Sequence, residues 1–375
     1  MKTLFVIIIC FFLYGCSTPD RVVNDASYIK RNGEEKSSIN SNQLPSTDSF
    51  KPLTMTESQD FYSINEWYDD STVIYSVGEN NLSTLYLHNI LSGKQDLYYQ
   101  TEEFIGKIQA NSDHSLFAVQ TLEQSGVSHL RILNKMGKEV FSWSNKIEDL
   151  QFMWNPYVPD ELIVTEYLTY MEFQLLKFNV GTKKIEKIPV NNPFVQWTSQ
   201  YELGYLNWNQ NEPSLDAPLL LFNLKTLEEK KWLENCIMLF SLKDIVITVS
   251  RDNNELNKSK YTFYESKTRR KLKEIFIPVL NTFSEAWWIP SFDFDGKRKI
   301  FYYMRPQRAG DISEYNEGYQ LTALPINDEK EEVLITIPNN LPIKLSPDGK
   351  WCLIGQQLEQ VIDISNKQLS NLTSQ

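Results

Sequence analysis

Seven short apolar runs, repeated at a nearly constant spacing, constrain the fold of this 375-residue chain more than any other feature. Each run is rich in Val, Ile, Leu, Tyr and Phe and follows a tight polar turn such as YDD, NSD, VPD or PDG. The runs are STVIYSV (71–77), SLFAVQT (115–121), ELIVTEY (161–167), ELGYLNW (202–208), DIVITVS (244–250), RKIFYYM (298–304) and KWCLIGQ (350–356). A second apolar run follows each of them, and then a turn and an amphipathic segment. The pattern predicts an all-β chain of repeated strand units.

The length of the repeat indicates how these units assemble. The six intervals between Asp70 and Asp348 average about 46 residues, close to the roughly 40–50 residues of a four-stranded propeller blade. A strand quartet that is moderately apolar on both faces needs a neighbouring sheet on each side, and radial stacking provides one. The sequence therefore predicts a β-propeller of six or seven four-stranded antiparallel blades over residues 60–375.

The weakest units leave the number of blades open. Gly204 lies inside the second strand of unit four, and unit seven has abbreviated loops, so either unit could be incomplete. Alternatively, Phe50 to Met55 could add a closing strand to the last blade. The turn SPDGK (346–350) resembles the inner hairpin turn of bacterial propellers of the TolB type, and its Gly349 suits a position with positive φ.

The first residues have the layout of a secretory signal. An apolar run of about eleven residues from Leu4 to Tyr14 follows Lys2 and is shorter than the roughly 20 residues needed to span a bilayer. It ends in LYGCSTPD, with Gly15 directly before Cys16. This arrangement resembles the lipobox of bacterial lipoproteins, and the resemblance implies cleavage after residue 15 and a covalent diacylglycerol on Cys16. The alternative is an ordinary signal peptide with a chance cysteine.

Residues 16–59 are polar and lack apolar periodicity, which predicts a disordered tether between the lipidated Cys16 and the propeller. Residues 1–15 contain one Lys and no acid, so their loss moves the formal net charge from −11 to about −12. Such acidity argues against nucleic acid and anionic lipid head groups as partners. We therefore expect the protein to contact the membrane through its lipid alone. The lipobox-like signal implies a location on the outer face of a bacterial cell membrane, and we expect a monomer there.

The remaining cysteines and the three histidines predict neither a disulfide framework nor a metal site. Cys236 and Cys352 lie in the apolar contexts NCIMLF and KWCLIG, where cysteine is usually a small core residue. No CxxC or HxxxH spacing surrounds the histidines, and no GxGxxG, P-loop, GxSxG or HExxH motif occurs. We expect no cofactor beyond the covalent lipid.

Together, the lipobox-like signal, the polar tether and the degenerate four-stranded units resemble the YqgU-like β-propeller lipoproteins of Bacillus-type bacteria. The resemblance covers nearly the whole chain and rests on this layout. It implies a six-bladed propeller without an assigned activity. In this chain, however, the second-strand pattern and the third-strand pattern each occur seven times.

Uneven loop lengths point to one face of the propeller. The loops between second and third strands are long and variable, above all RPQRAGDISEYNEGY (305–319), and long loops on a rigid scaffold often carry binding residues. Arg and aromatic side chains are favoured at binding hot spots. The residues predicted to form a ligand or partner face are Trp208, Arg251, Trp287, Trp288, Arg305, Arg308, Asp311, Glu314, Tyr315 and Tyr319. With nine Trp, 19 Tyr and 20 Phe in the chain, packing between blades is the competing interpretation for the aromatic members.

Three functional hypotheses follow. The first is a non-catalytic, membrane-anchored binding or scaffold module for a protein or a cell-wall polymer. The second is a propeller hydrolase or lyase that acts on wall glycans, which would require carboxylates gathered beside an open pocket. The third is a structural subunit of an envelope complex, with a large exposed apolar patch.

Overall fold

The protein folds into seven four-stranded antiparallel sheets. The computed structural model describes residues 50–145, 149–169, 172–209, 214–252, 255, 257–281, 288–328 and 330–373. The strands of sheets 1 to 4 are β1 (Asp60–Trp67), β2 (Thr72–Glu79), β3 (Leu82–Asn89), β4 (Gln95–Thr101), β5 (Phe104–Ala110), β6 (Leu116–Leu122), β7 (Ser128–Asn134), β8 (Glu139–Asn145), β9 (Asp149–Trp154), β10 (Glu161–Thr169), β11 (Glu172–Asn179), β12 (Lys184–Ile188), β13 (Gln196–Ser199), β14 (Glu202–Leu206), β15 (Ala217–Asn223) and β16 (Glu229–Cys236).

The other three sheets continue the same plan. Their strands are β17 (Met238–Leu242), β18 (Ile245–Arg251), β19 (Lys258–Glu265) and β20 (Lys271–Pro278) in sheet 5, β22 (Phe292–Asp295), β23 (Ile300–Pro306), β25 (Tyr319–Pro325) and β26 (Glu332–Ile337) in sheet 6, and β27 (Ile343–Leu345), β28 (Trp351–Ile354), β29 (Gln360–Asp363) and β30 (Gln368–Asn371) in sheet 7. A short parallel pair, β21 (Leu280–Asn281) with β24 (Gly310–Asp311), and a 3-10 turn at Ile312–Glu314 lie outside the sheets. The described residues contain no helix long and apolar enough to cross a bilayer.

The sequence repeat therefore predicts the sheets correctly. Each of the seven apolar runs becomes the second strand of its sheet, and the units that looked weakest, four and seven, are both complete. Gly204 has a packing reason, because a Cβ built there would lie 2.7 Å from a methyl of Thr198 and 3.0 Å from Leu239 of the next sheet. Cys236 and Cys352 are free and buried, as predicted.

The sheets close into a ring through their first strands. The first strands of sheets 1 and 2, of sheets 4 and 5 and of sheets 6 and 7 contact each other, which places them nearest the central axis. Indole N–H groups tie sheets 1, 3 and 4 to main-chain carbonyls of the sheet before each: Trp67 to Lys344 at 3.0 Å, Trp154 to Gln109 at 3.0 Å and Trp197 to Met153 at 3.4 Å. Sheets 5 and 6 meet instead through aromatic rings, with Phe240 and Phe292 at 4.5 Å.

The chain closes the ring without exchanging a strand between sheets 1 and 7. Instead, residues Phe50 to Met55, here called the clasp, lie along both sheets. The Leu53 amide donates to the Leu372 carbonyl at 2.6 Å, next to a single parallel bridge between Leu53 and Thr373. The amide of Lys51 donates to the Ile90 carbonyl at 2.8 Å, on the sheet 1 side. The closing strand considered from the sequence is thus a single bridge beside β30. Residues 1–49, which include Cys16 and most of the predicted tether, lie outside the described residues.

Two ends of the ring differ. The turns between first and second strands and between third and fourth strands form what we call the turn face. The loops between second and third strands and the connections between sheets form the opposite end, the loop face. Phe50 packs edge-on against Trp351, at the start of β28, with ring centroids 5.1 Å apart. The clasp therefore begins at the turn face and runs toward the loop face.

Candidate functional site

The long segment 305–319 of sheet 6 contains six of the predicted site residues, and four of them lie in the loop between β23 and β25 on the loop face: Arg308, Asp311, Glu314 and Tyr315. Arg308 forms an ion pair with Glu317, and its guanidinium lies 5.7 Å from the centroid of the Tyr315 ring. Tyr315 accepts a hydrogen bond from the Gln307 amide at 2.7 Å. Asp311 accepts from the Ser313 amide at 2.8 Å, beside the exposed Glu314. The loop is thus compact and held by its own side chains, as in Ω-loops.

Three other predicted residues of this region serve packing or pairing within the sheets. Trp288 and Tyr319 are 8% and 6% exposed and belong to the core cluster shared by sheets 6 and 7. Their ring centroids are 6.1 Å apart in a stacked arrangement. Arg305 pairs with Glu331 at 2.6 Å, at the edge of sheet 6. For Trp288 and Tyr319, packing between sheets describes the observed environment better than a ligand contact.

The remaining predicted residues lie near sheets 4 and 5. Trp208 is exposed in the loop that follows β14. Arg251, at the end of β18, forms an ion pair with Asp216 of that same loop region at 3.4 Å. Trp287 lies outside the described residues. Trp208 and Arg251 thus lie in or beside sheets 4 and 5, whereas the other seven described residues of the predicted face lie in or beside sheet 6, so the predicted residues are divided between two regions of the ring.

An apolar patch that sequence reasoning missed also lies on the loop face. It consists of Tyr62, Phe104 and Leu122, which are 41%, 52% and 39% exposed. The rings of Tyr62 and Phe104 are 6.2 Å apart, and Phe104 is the cross-strand partner of Leu122. We call it the Tyr62 patch. Its sequence signal is an aromatic residue close to the start of a first strand, in DFYS and EEFIG.

A cleft of about 340 Å³ opens on the loop face between sheets 5 and 6. We call it the Asn257 cleft. It is lined by Asn257, Val279, Asn281, Ala309 and Gly310. The parallel pair of β21 and β24 forms its wall, and the Gly310 amide donates to the Val279 carbonyl at 3.2 Å. The long loop of sheet 6 therefore contributes main chain to this cleft, beside Arg308.

Two carboxylates lie near the central axis, and main-chain amides donate hydrogen bonds to both of them. Glu66, only 3% exposed, accepts from the amides of Trp67 at 2.9 Å and Ala110 at 3.0 Å. It also pairs with the ammonium group of Lys344 at 2.7 Å. Asp293 accepts from the amides of Phe294 and of Leu345 in sheet 7, both at 2.7 Å. These acids join neighbouring sheets and have few lone pairs left for a substrate.

The Asp293 carboxyl should make stability depend on pH. Burial raises its pKa to about 6, from an ordinary value of 3.8, although the two amide donors oppose the shift. Between about pH 4 and pH 6 the folded state therefore holds more protons than the unfolded state, so the free energy of unfolding falls as the pH rises. Between about pH 4 and pH 7, we expect the free energy of unfolding of the wild type to fall by roughly 1–2 kcal/mol more than that of Asp293→Asn. Denaturant unfolding at each pH measures the two slopes, and equal slopes would contradict the shifted pKa.

The turn face carries a second cleft, of about 400 Å³, which is lined by turns of sheets 1, 2, 6 and 7. His114 lies in it with φ of +56°, at the turn position that Gly349 holds with φ of +68° in sheet 7. Burial lowers the pKa of His114, so its imidazole is neutral at pH 7. The Lys135 ammonium lies 3.8 Å from the centroid of the Tyr68 ring. The Asp113 carboxylate accepts a hydrogen bond from the Ser115 amide at 3.0 Å. This polar group of the lining therefore stabilises the turn itself.

One cluster on the loop face contains residue types that can hold a divalent cation. Ligand atoms of Glu103, Glu123 and His129 all lie within 4.8 Å of one another. The guanidinium of Arg131, however, contacts Glu103 at 2.5 Å, and His129 contacts Glu123 at 2.8 Å. A fixed positive charge beside a carboxylate disfavours a metal ion there. The cluster fits an ion-pair network better than a metal centre.

The fold defines a class of protein, an all-β propeller with uninterrupted four-stranded sheets and a non-covalent closure. The chain belongs to the family of the YqgU-like 6-bladed beta propeller domain, whose model matches residues 89–355. This span contains sheets 2 to 6 completely and only parts of sheets 1 and 7. The description as six-bladed thus differs from the seven sheets of this chain.

Three known proteins resemble the chain closely enough to be informative. It is 24% identical over 308 residues, 82% of either chain, to "Uncharacterized lipoprotein YqgU" of Bacillus subtilis (strain 168). The crystal structure of the uncharacterized protein lmo1340 from Listeria monocytogenes EGD-e has a TM-score of 0.78 at 19% identity, covering 87% of this chain and 98% of that one. The β-propeller domain of the Trilobed protease from Pyrococcus furiosus, described as having an open velcro topology, has a TM-score of 0.57 at 10% identity, with 85% and 99% coverage. The two structures support the fold alone.

Proposed function

We propose that this chain is a lipid-anchored propeller on the outer face of a Gram-positive cell membrane, and that its loop face binds an envelope protein or polymer without catalysis. The lipobox-like LYGCSTPD and the similarity to a Bacillus subtilis lipoprotein support the anchor. The clasp supports the orientation, because the chain that leads from Cys16 joins the domain at the turn face. The loop face lies at the other end of the ring.

The distribution of exposed apolar side chains carries the proposal. Six large ones lie on the loop face: Tyr62, Phe104, Leu122, Phe194, Trp208 and Leu215. On the turn face, the described residues expose Met136, Tyr201 and Leu227, and the Lys225 ammonium covers the Tyr201 ring at 3.4 Å. Three of the six form the Tyr62 patch, and such clusters of apolar side chains are typical of interaction surfaces.

The charges near the axis favour binding over hydrolysis. A glycan hydrolase or lyase needs a carboxyl group that is free to exchange a proton with its substrate. Glu66 and Asp293 instead accept hydrogen bonds from the amides of adjoining sheets. If the wild type degraded cell-wall glycans and Asp293→Asn did not, the result would favour an enzyme over a binding module.

Site-specific photocrosslinking in intact cells tests the proposed face. A photoreactive amino acid at Phe104 or Trp208 should capture envelope material several-fold more than one at the turn-face positions Met136 or Leu227. All four residues are exposed, and the turn-face pair more so, at 82% and 60% against 52% and 38%, so accessibility alone would favour capture from the turn face. Equal or greater capture from the turn face would contradict the proposal.

A further inference from the structure

The rings of the Tyr62 patch are held in place by the strands that carry them. Tyr62 and Phe104 belong to the first strands of sheets 1 and 2, which contact each other. A Cβ built at Gly78 would clash with the Tyr62 hydroxyl, so the glycine leaves room for this ring. Phe104 is fixed by its pairing with Leu122 across the sheet. Because the patch is formed in advance, a partner that covers it loses little affinity to ordering of the surface.

Acidic residues surround this patch. The loop-face segments of sheets 1 and 2 are residues 56–60, 79–82, 101–103 and 123–127. They contain no Lys or Arg and carry six acids, which are Glu57, Asp60, Glu79, Glu102, Glu103 and Glu123. Two of these acids directly precede Phe104, and another directly follows Leu122. Residues 146–148, between β8 and β9, lie outside the described residues, but they contain one Lys and one Glu, so their formal charges cancel.

Only part of this negative charge is neutralised within the protein. Arg131 forms an ion pair with Glu103 at 2.5 Å, and His129 contacts Glu123 at 2.8 Å. The carboxylates of Glu57, Asp60 and Glu102 are exposed and form no ion pair with any Lys, Arg or His of the described chain. The patch therefore presents an apolar centre beside carboxylates that are available to a partner's cations.

The opposite ends of the same two sheets show that this acidity is local. The turn-face segments of sheets 1 and 2 are residues 68–71, 90–94, 111–115 and 135–138. Their charged residues balance, with Asp69, Asp70 and Asp113 against Lys94, Lys135 and Lys138. The excess of acid thus lies at the end of the sheets that carries the exposed rings. Complementary charge across an interface selects partners and speeds their association.

The combination of rings and carboxylates favours one class of partner. An anionic polymer would be repelled, and a second copy of this chain would bring the same negative charges to the interface. A neutral glycan would gain nothing from the carboxylates. A polypeptide with Lys or Arg next to apolar side chains satisfies both parts, because its cations meet the carboxylates and can also lie over the Tyr62 and Phe104 rings.

We infer that the Tyr62 patch docks a basic segment of an envelope protein, in which apolar side chains are flanked by Lys or Arg. The apolar side chains cover Phe104 and Leu122, and the cations meet Asp60 and Glu102. This inference rests on the proposed function, since it specifies the partner that the loop face binds.

The binding test uses the full lipoprotein in phosphatidylcholine nanodiscs, with empty nanodiscs as the background. Three fluorescein-labelled peptides of equal length alternate Arg with Leu, Glu with Leu, or Arg with Ser, and fluorescence anisotropy measures their affinity. We expect the Arg–Leu peptide to bind and the other two to bind at least roughly tenfold more weakly. Its affinity should fall several-fold between about 50 and 500 mM NaCl, because salt screens exposed charges.

Variants of the protein locate the bound peptide. Phe104→Ala should weaken binding of the Arg–Leu peptide roughly tenfold, and Glu102→Lys should weaken it several-fold. Asp70→Lys makes the same charge change at an exposed residue of the turn face, so it should leave the affinity unchanged. Absence of Arg–Leu binding, equal effects of Glu102→Lys and Asp70→Lys, or equally tight binding of the Glu–Leu peptide would overturn the inference.

Photocrosslinking from Phe104 in intact cells separates this inference from the proposed function. Muramidase should leave the crosslinked species intact, and Glu102→Lys should reduce its yield several-fold. A species that muramidase reduces to the mass of the free protein would identify a wall polymer, and would overturn the inference while the loop face remained the binding face. Capture of a second copy of this chain would overturn it as well. Capture from Phe104 and Trp208 that does not exceed capture from the turn face would contradict the proposed function itself.

Discussion

Leu53→Asp should lower the melting temperature of the propeller by roughly 5–10 °C. Leu53 is 1% exposed, and its side chain packs in the cluster shared by sheets 1 and 7. A carboxylate in that place would be buried without a partner, which costs about 3–5 kcal/mol. Since sheets 1 and 7 exchange no strand, the clasp is a main tie between the two ends of the described chain. Thermal unfolding followed by near-ultraviolet circular dichroism measures the change.

The neighbouring residue provides a matched control for this prediction. Thr54 is exposed, so Thr54→Asp adds the same charge one residue away without burying it. We expect it to change stability by less than about 0.5 kcal/mol. If Leu53→Asp and Thr54→Asp have the same melting temperature, the clasp contributes little to stability, and sheets 1 and 7 hold each other without it.

Cys16→Ser should release the protein from the membrane almost completely. Each buried CH₂ of an acyl chain contributes about 0.8 kcal/mol, so two chains anchor stably, whereas the net negative charge of the chain disfavours adsorption to anionic lipid head groups. Membrane fractionation and metabolic labelling with a radioactive fatty acid measure the effect. The wild type should carry label in the membrane fraction, and the variant should lose both.

Cys10→Ser is the control for the anchor. Cys10 lies within the apolar run that is expected to be cleaved off, so this variant should keep its label and its membrane location. Labelling that persists in Cys16→Ser, or that disappears in Cys10→Ser, would contradict lipidation at Cys16.

The sequence predicts the sheets well because their periodicity is local. Alternation of apolar residues and turns such as SPDGK depend on neighbouring residues, and all seven second strands lie where the pattern places them. The ties between sheets are not local. Trp67 and its acceptor Lys344 are 277 residues apart, and the sequence around either residue does not predict their contact. Gly204 looked like a weak point of its strand, but only the packed structure shows that Leu239 requires it.

The candidate site was harder to predict for a related physical reason. Residue type alone does not reveal whether a side chain meets solvent or its own loop. Arg308 and Tyr315 engage partners within the 305–319 loop, and Trp288 is in the core. The Tyr62 patch and the Asn257 cleft are formed by residues from different sheets or loops, so they exist only after the chain has folded.

The most direct measurement of the central claim, that the loop face meets the envelope partner, is oxidative footprinting of the anchored protein. Hydroxyl-radical modification in intact cells is compared, residue by residue, with that of the purified protein. The proposal predicts several-fold protection of Phe104 and Trp208 in cells, while Met136, which is 82% exposed on the turn face, stays equally reactive in both samples. Protection of Met136 and Leu227, with Phe104 and Trp208 unprotected, would contradict it.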